Sequence, residues 1–164
     1  MNAAKQIIEA LNVVFADMDA KVLESSKEWA LGRVKAVSEF KASDEYKELR
    51  KRGVEAAYER MFAIAGGKTW YNAFYGRSTA DVLEIMAKNC ARTVASRNAS
   101  IAAKLEKAGV TEVTDSSFSH TSDGFNGVFK VTTDKGPKTV TVDTIYAGGY
   151  NIQCLHLRVL VKVK

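Results

Sequence analysis

Ile101-Ala102-Ala103-Lys104-Leu105-Glu106-Lys107-Ala108-Gly109-Val110-Thr111-Glu112-Val113-Thr114 is the stretch in which the chain changes character. Up to Ala108 apolar residues recur at helical spacing. From Val110 the composition turns to Thr, Val, Ser and Gly, and the apolar period falls to two. Gly109 stands just past the last helical position, where a left-handed residue ends a helix most cheaply. The transition predicts an α+β protein, with a helical region over 1–109, an antiparallel sheet region over 110–164, and both in one compact domain.

Working back from Gly109, Val82, Met86, Cys90, Val94, Ile101 and Leu105 form one apolar stripe, so a long helix is expected to start at Ser78 or Thr79. Asp81 and Glu84 suit the positive end of its dipole. A second helix is expected from Ser43-Asp44-Glu45 through Tyr46, Leu49, Gly53, Ala57 and Met61, stopped by Gly66-Gly67. The first helix starts at Asn2, a good N-cap. Its apolar positions Ile8, Phe15, Val22 and Trp29 lie seven apart, with Leu11 and Met18 between them, until Ser25, Ser26 and Gly32 interrupt the pattern. Three long helices are therefore expected. The heptad seam predicts a packing partner, which the second helix can supply, or a homodimer contact.

Forward from Gly109, Phe125, Phe129 and Val131 alternate with Asn126, Val128 and Lys130. Val140, Val142 and Tyr146 alternate with Thr139, Thr141 and Asp143. Leu155, Leu157, Val159, Val161 and Val163 alternate with His156, Arg158 and Lys162. A meander of three to four strands is expected to pack one face on the helices. Its connections are Asp134-Lys135-Gly136-Pro137 and a tight hairpin centred on Gly148-Gly149. That hairpin would place Thr141 opposite His156 and Asp143 opposite Cys154, with Lys130 near Thr141.

At 164 residues, 46% hydrophobic and 26% charged, the chain can build a core, which excludes disorder. No apolar run approaches the ~20 residues of a membrane span. The net charge of +5 divides into 18 basic and 14 acidic residues up to Val110, then 6 and 5. Mixed signs of this kind permit an acidic partner without demanding nucleic acid. Cys90 and Cys154 have no metal-type spacing, and two lone thiols without a secretory leader lead to the expectation of a reducing cytoplasm. No cofactor or metal is expected.

Candidate chemistry is sparse. Gly66-Gly67-Lys68-Thr69 lacks the further glycine of a phosphate loop, since Phe62 stands there, and a helix precedes it. Lys68, Trp70, Tyr71, Phe74, Tyr75 and Arg77 interleave aromatic rings with cations. Trp70 and Phe74, four apart, are expected in the core, and Tyr71 and Tyr75 form a more exposed pair. In the alternative reading Lys68, Tyr71, Tyr75 and Arg77, with Lys88 and Arg92, form a nucleic-acid surface. Arg97 falls on the apolar stripe, so its head must reach water or a structural carboxylate, or serve as an anion or partner contact. On the outward sheet face, Lys130, Asp143, Tyr146, Tyr150, His156 and Arg158 form a candidate partner-binding row. No nucleophile has an adjacent base, so no catalytic residue is named.

The C-terminal string Thr144-Ile145-Tyr146-Ala147-Gly148-Gly149-Tyr150-Asn151-Ile152-Gln153-Cys154-Leu155-His156-Leu157-Arg158 resembles the closing hairpin of uncharacterised small proteins from bacteriophages and prophages. The resemblance covers about a tenth of the chain and implies a phage accessory protein in the host cytoplasm, with no site residues attached. The leading expectation is a non-enzymatic binding protein that engages a host protein or nucleoprotein complex, with an anti-defence role in view. The alternative is a nucleic-acid-associated protein using the basic and aromatic helical surface. Catalysis ranks last.

Overall fold

The computed structural model describes residues 2–121, 124–146 and 157–164. The order along the chain is α1 (Ala3–Lys41), α2 (Asp44–Arg52), α3 (Val54–Ala65), α4 (Lys68–Phe74), α5 (Thr79–Lys107), β1 (Val110–Thr121), β2 (Gly124–Thr133), β3 (Gly136–Tyr146) and β4 (Leu157–Val163). The helices are followed by one antiparallel sheet of order β1-β2-β3-β4, so the α+β reading and the meander both stand. Among the described residues no helix is long and apolar enough to cross a membrane.

Among the described residues five helices replace the three expected. Gly53, read as part of the second helix, has φ +136° and separates α2 from α3. Only glycine adopts that backbone readily, so helical spacing on either side did not make one helix. The aromatic stretch before Gly76 folds as α4. The other expected ends are in place. Asn2 Oδ1 accepts the Ala4 N–H at 2.8 Å, Ser43 Oγ accepts from Tyr46 N at 3.2 Å, and Ser78 Oγ accepts from Asp81 N at 3.1 Å. Gly109 has φ +69°, and a Cβ there would collide with the Asp134 carboxylate. Its carbonyl accepts the Asp134 N–H at 3.3 Å, which ties the end of α5 to the β2–β3 turn.

The chain divides into two compact units. One comprises Met1–Val22 with Cys90–Lys164, the other Leu23–Asn89. The change of secondary structure at Gly109 falls inside the first, so the sheet carries its own helical cover. Ala4, Ile7, Leu11 and Phe15 of α1, with Ile101 and Leu105 of α5, bury against Phe125, Phe129, Val131, Val140 and Val142. Each such large side chain contributes about 1.5–3 kcal/mol when removed from water. Phe118 on β1 pairs with Gly127 and stacks on Phe125 at 5.5 Å, the missing side chain of Gly127 leaving room for both rings.

The buried stripe of α1 runs Ala4, Ile7, Leu11, Phe15, Val22, Ser26, Ala30, Val37 and Phe40. Ala4, Phe15, Ser26 and Val37 lie eleven apart, a spacing of the buried positions that differs from the expected heptad. Ile8 and Trp29 of the expected seam are accordingly only half-buried. The first part of the seam packs on the sheet, its last residue Trp29 meets Trp70 and Phe74 of α4, and the α1 residues that meet the expected second helix, Val37 and Phe40, lie beyond the seam. In the helical unit Val37 and Phe40 cluster with Met61, Ala65 and Tyr71, while Ala30 clusters with Trp70, Phe74, Val82 and Met86.

The strand register corrects two expectations. Thr133 pairs with Gly136, so Asp134 and Lys135 alone form the β2–β3 turn, and Lys130 pairs with Thr139 rather than lying near Thr141. Thr133 Oγ1 donates to the Gly136 carbonyl at 2.8 Å and accepts from Lys135 N, which tightens the turn. Beyond β3, Tyr146 pairs with Leu157, Asp143 with Leu160 and Thr141 with Lys162. A two-residue hairpin at Gly148-Gly149 would have put His156 opposite Thr141. Thr141 faces Lys162 instead, and the hairpin expected at Gly148-Gly149 itself lies outside the described residues.

Candidate aromatic and basic cleft of the helical unit

The cleft is built around the end of α3. Gly66 takes φ +90°, its N–H bonds the Ala63 carbonyl, and Gly67 N bonds the Phe62 carbonyl at 2.7 Å. This left-handed stop turns the chain at once into α4. A side chain at Gly66 would be strained by φ and would press on Trp29 at 3.2 Å. One turn of α4 then buries Trp70, Tyr71 and Phe74 together. Trp70 stacks on Phe74 at 4.9 Å and meets Trp29 edge-on at 5.4 Å, so the core placement expected for Trp70 and Phe74 is what the structure shows.

A cleft of about 140 Å³ opens beside this cluster. Its floor is apolar, formed by Val34, Val37, Trp70 and Phe74, and its polar lining includes Arg33, Ser38, Tyr75 and Arg77. Arg33 Nη1 donates weakly to the Ile64 carbonyl at 3.4 Å, near the negative end of α3, and its guanidinium lies 5.7 Å from the Trp29 ring. Lys41 Nζ sits 4.2 Å above the Tyr75 ring. No carboxylate lines the cleft. Elsewhere in this unit cations pair with neighbouring acids, as in Lys35–Glu39, Arg60–Glu45 and Lys88–Glu84. Arg33, Lys41 and Arg77 have no carboxylate partner among the described residues.

Tyr71 departs from expectation. It is 8% exposed, whereas Tyr75 is 43% exposed. The two rings stack at 4.7 Å and 13°, and Tyr71 also meets Phe62 and Tyr58 edge-on. The i, i+4 spacing correctly joined Tyr71 to Tyr75. It did not reveal that α3 supplies rings to cover Tyr71. The Tyr75 ring touches both the Tyr71 ring and the Lys41 ammonium and is still the exposed member of the pair.

Burial, with repulsion from the Tyr58 and Tyr46 phenolates behind it, raises the Tyr71 pKa above 10.0. A raised pKa in the folded state means that the neutral phenol contributes stability in full below pH ~10, and that this contribution is lost as pH rises through the folded value. Urea unfolding from pH 8 to 11.5 is therefore expected to show stability falling above pH ~10, and Tyr71→Phe is expected to flatten that fall. An unchanged slope in the variant would assign the alkaline loss to other groups.

The remaining expected residues scatter. Lys68 is exposed on α4 outside the cleft lining, and Lys88 is held by Glu84 at 2.9 Å. Arg92 is exposed on the part of α5 that belongs to the sheet-containing unit. Arg97 has found a structural carboxylate. Its Nη1 and Nη2 grip Asp19 at 2.8 and 2.9 Å, Nη2 reaches Asn12 at 3.3 Å, and the guanidinium lies 4.6 Å from the Phe15 ring. That fork leaves little for an outside anion, although Arg97 Nε is buried without a hydrogen-bond partner. On the sheet, Lys130 pairs with Asp115 at 3.6 Å and Asp143 accepts a hydrogen bond from Asn126. Both bonds run across the β1–β2 and β2–β3 ladders. Tyr146 and Arg158 occupy β3 and β4, paired with Leu157 and Ile145 respectively. Tyr150 and His156 lie outside the described residues.

Arg33 and Ser38 line the cleft, and Lys41 lies against its Tyr75, although no sequence signal singled them out. They sit on a helix of mixed charge, and the only hint is that they flank buried Val37 at helical spacing. No protein-family model, curated protein or solved structure matches this chain.

Proposed function

We propose that the chain is a non-enzymatic binding protein and that the cleft of its helical unit is where a protein partner docks. One observation carries the reading: a small cleft with an apolar aromatic floor, two arginines in its lining and no carboxylate. Tyr, Trp and Arg are the residues that dominate protein interfaces, because rings add area at little entropic cost and guanidinium forks hold acids bidentately. The burial of Tyr71 speaks against base stacking on that ring, since a stacked base needs a free ring face. The bacteriophage resemblance of residues 144–158 adds a context in which the partner is a host protein or nucleoprotein and the setting is the host cytoplasm.

The test is recovery of partners from bacterial lysate on immobilised protein, with and without nuclease. Arg33→Ala and Arg77→Ala are each expected to lower recovery of a nuclease-resistant partner by about 2 kcal/mol, some thirtyfold, with circular dichroism unchanged. Tyr150→Ala and Arg158→Ala, run alongside, address the row expected on the sheet. If the Arg33 and Arg77 variants recover the same proteins in the same amounts while the Tyr150 and Arg158 variants do not, the docking surface is the sheet and the cleft reading fails.

A further inference from the structure

We infer that the cleft takes one apolar side chain carrying a carboxylate beside it, the arrangement at the C-terminal residue of a peptide ending in Phe or Leu. This inference rests on the partner-docking reading above and names what the partner inserts. A volume of about 140 Å³ matches a single ring, since an apolar cavity of ~150 Å³ accepts benzene. It is too small for a helix face or a run of side chains.

The lining divides the ligand into two parts. Val34, Val37 and Ala65 with the Trp70 and Phe74 rings form an apolar floor, which favours a ring or branched aliphatic chain with no polar atom of its own. Arg33 and Arg77 bring positive charge with no acid to neutralise it, and Ser38 and Tyr75 add hydroxyl donors. A ligand that is apolar throughout would leave that charge without a counter-ion next to a low-dielectric floor, and an anion without an apolar body would leave the floor wet. A hydrophobic residue with its own α-carboxylate satisfies both requirements within one residue's span.

The donors available favour a carboxylate over a phosphate. Lys41 is already spent on the Tyr75 ring, and Arg33 directs one Nη toward the Ile64 carbonyl. What remains is the Arg77 fork, the free edge of the Arg33 guanidinium and the Ser38 and Tyr75 hydroxyls, of which the planar fork of Arg77 matches the two oxygens of a carboxylate. A dianionic phosphate presents three strong acceptor oxygens and is usually met by a larger set of donors.

The experiment uses the full chain and four small probes, N-acetyl-phenylalanine, its amide, phenyl phosphate and acetate, followed by amide chemical-shift titration. N-acetyl-phenylalanine is expected to shift resonances of α4 and of residues 33–38, with the amide and acetate each at least tenfold weaker. Arg33→Gln and Arg77→Gln are expected to remove the preference for acid over amide, Arg33→Lys to restore only part of it, and Lys35→Gln, outside the cleft and paired with Glu39, to leave it intact. Equal binding of acid and amide, or phenyl phosphate tighter than the acid, overturns the inference. If neither acid nor amide binds while the Arg33 and Arg77 variants still lose their partner from lysate, the inference fails and the docking reading stands. If the acid binds as expected and partner recovery does not depend on these arginines, the docking reading fails instead.

Discussion

Asp19→Ala is expected to destabilise the sheet-containing unit by about 3 kcal/mol, one of the two largest single-residue effects anticipated in this protein. Arg97 lies on a helix face otherwise apolar, its side chain 10% exposed, and Asp19 supplies both oxygens that hold its fork. Removing the acid leaves a guanidinium beside the Phe15 ring with the Asn12 side chain at 3.3 Å. Breaking a buried pair from one side costs about 3–5 kcal/mol because the surviving charge stays desolvated. The lower end applies here because Asp19 is 26% exposed and water can follow the side chain in. Urea unfolding followed by far-ultraviolet circular dichroism measures the loss. The double variant Asp19→Leu, Arg97→Met is expected to recover most of it, since replacing both charges by apolar groups removes the desolvation penalty together with the attraction. A loss below about 0.5 kcal/mol in Asp19→Ala would mean that the pair behaves as a surface ion pair.

Trp70→Ala is expected to cost about 3–5 kcal/mol in the helical unit, the range for deleting a buried large aromatic. Trp70 is 6% exposed, packs face-on against Phe74 and edge-on against Trp29, and shares a cluster with Ala30, Val82 and Met86. The surrounding rings come from different helices and cannot all move in to close the space, so a cavity term adds to the lost transfer energy. Trp29 is the one other tryptophan of the chain, so its fluorescence during chemical unfolding reports on this unit. Trp70→Phe, which keeps a ring in the cluster, is expected to lose less than half as much. An alanine variant as stable as the parent would show that the cluster does not support the unit.

The aromatic run was legible from spacing up to a point. Trp70 and Phe74, four residues apart, can share a face, and two rings so apolar favour its burial. Tyr71 and Tyr75 were placed together for the same reason, and their stacking followed. The burial of Tyr71 was not legible, because it depends on Phe62 and Tyr58 arriving from α3 after a turn at Gly66 and Gly67. Arg33, Ser38 and Lys41 were invisible as a group for a related reason. A helix of mixed charge shows which cations have acids at i, i+3 or i+4, but not which will stand against a helix added later in the chain.

The change of apolar period at Gly109, the caps at Asn2, Ser43 and Ser78, and the inward alternation of Phe125, Phe129, Val131, Val140 and Val142 are properties of single segments. Local sterics and amphipathicity determine them, so the sequence by itself determined the α+β class, the starts of α1, α2 and α5 and the buried face of the sheet. Other features need two segments to meet. The register of β4 is set by its pairing with β3. The partner of Arg97 is an acid 78 residues away in the chain, and the two halves of α1 serve separate cores because the stripe of a long helix faces whatever the fold brings to it. A carboxylate-free cleft exists only once α1, α3 and α4 are packed. Contacts of this kind are chosen by shape and charge across a folded interior, and only the tertiary structure decided them.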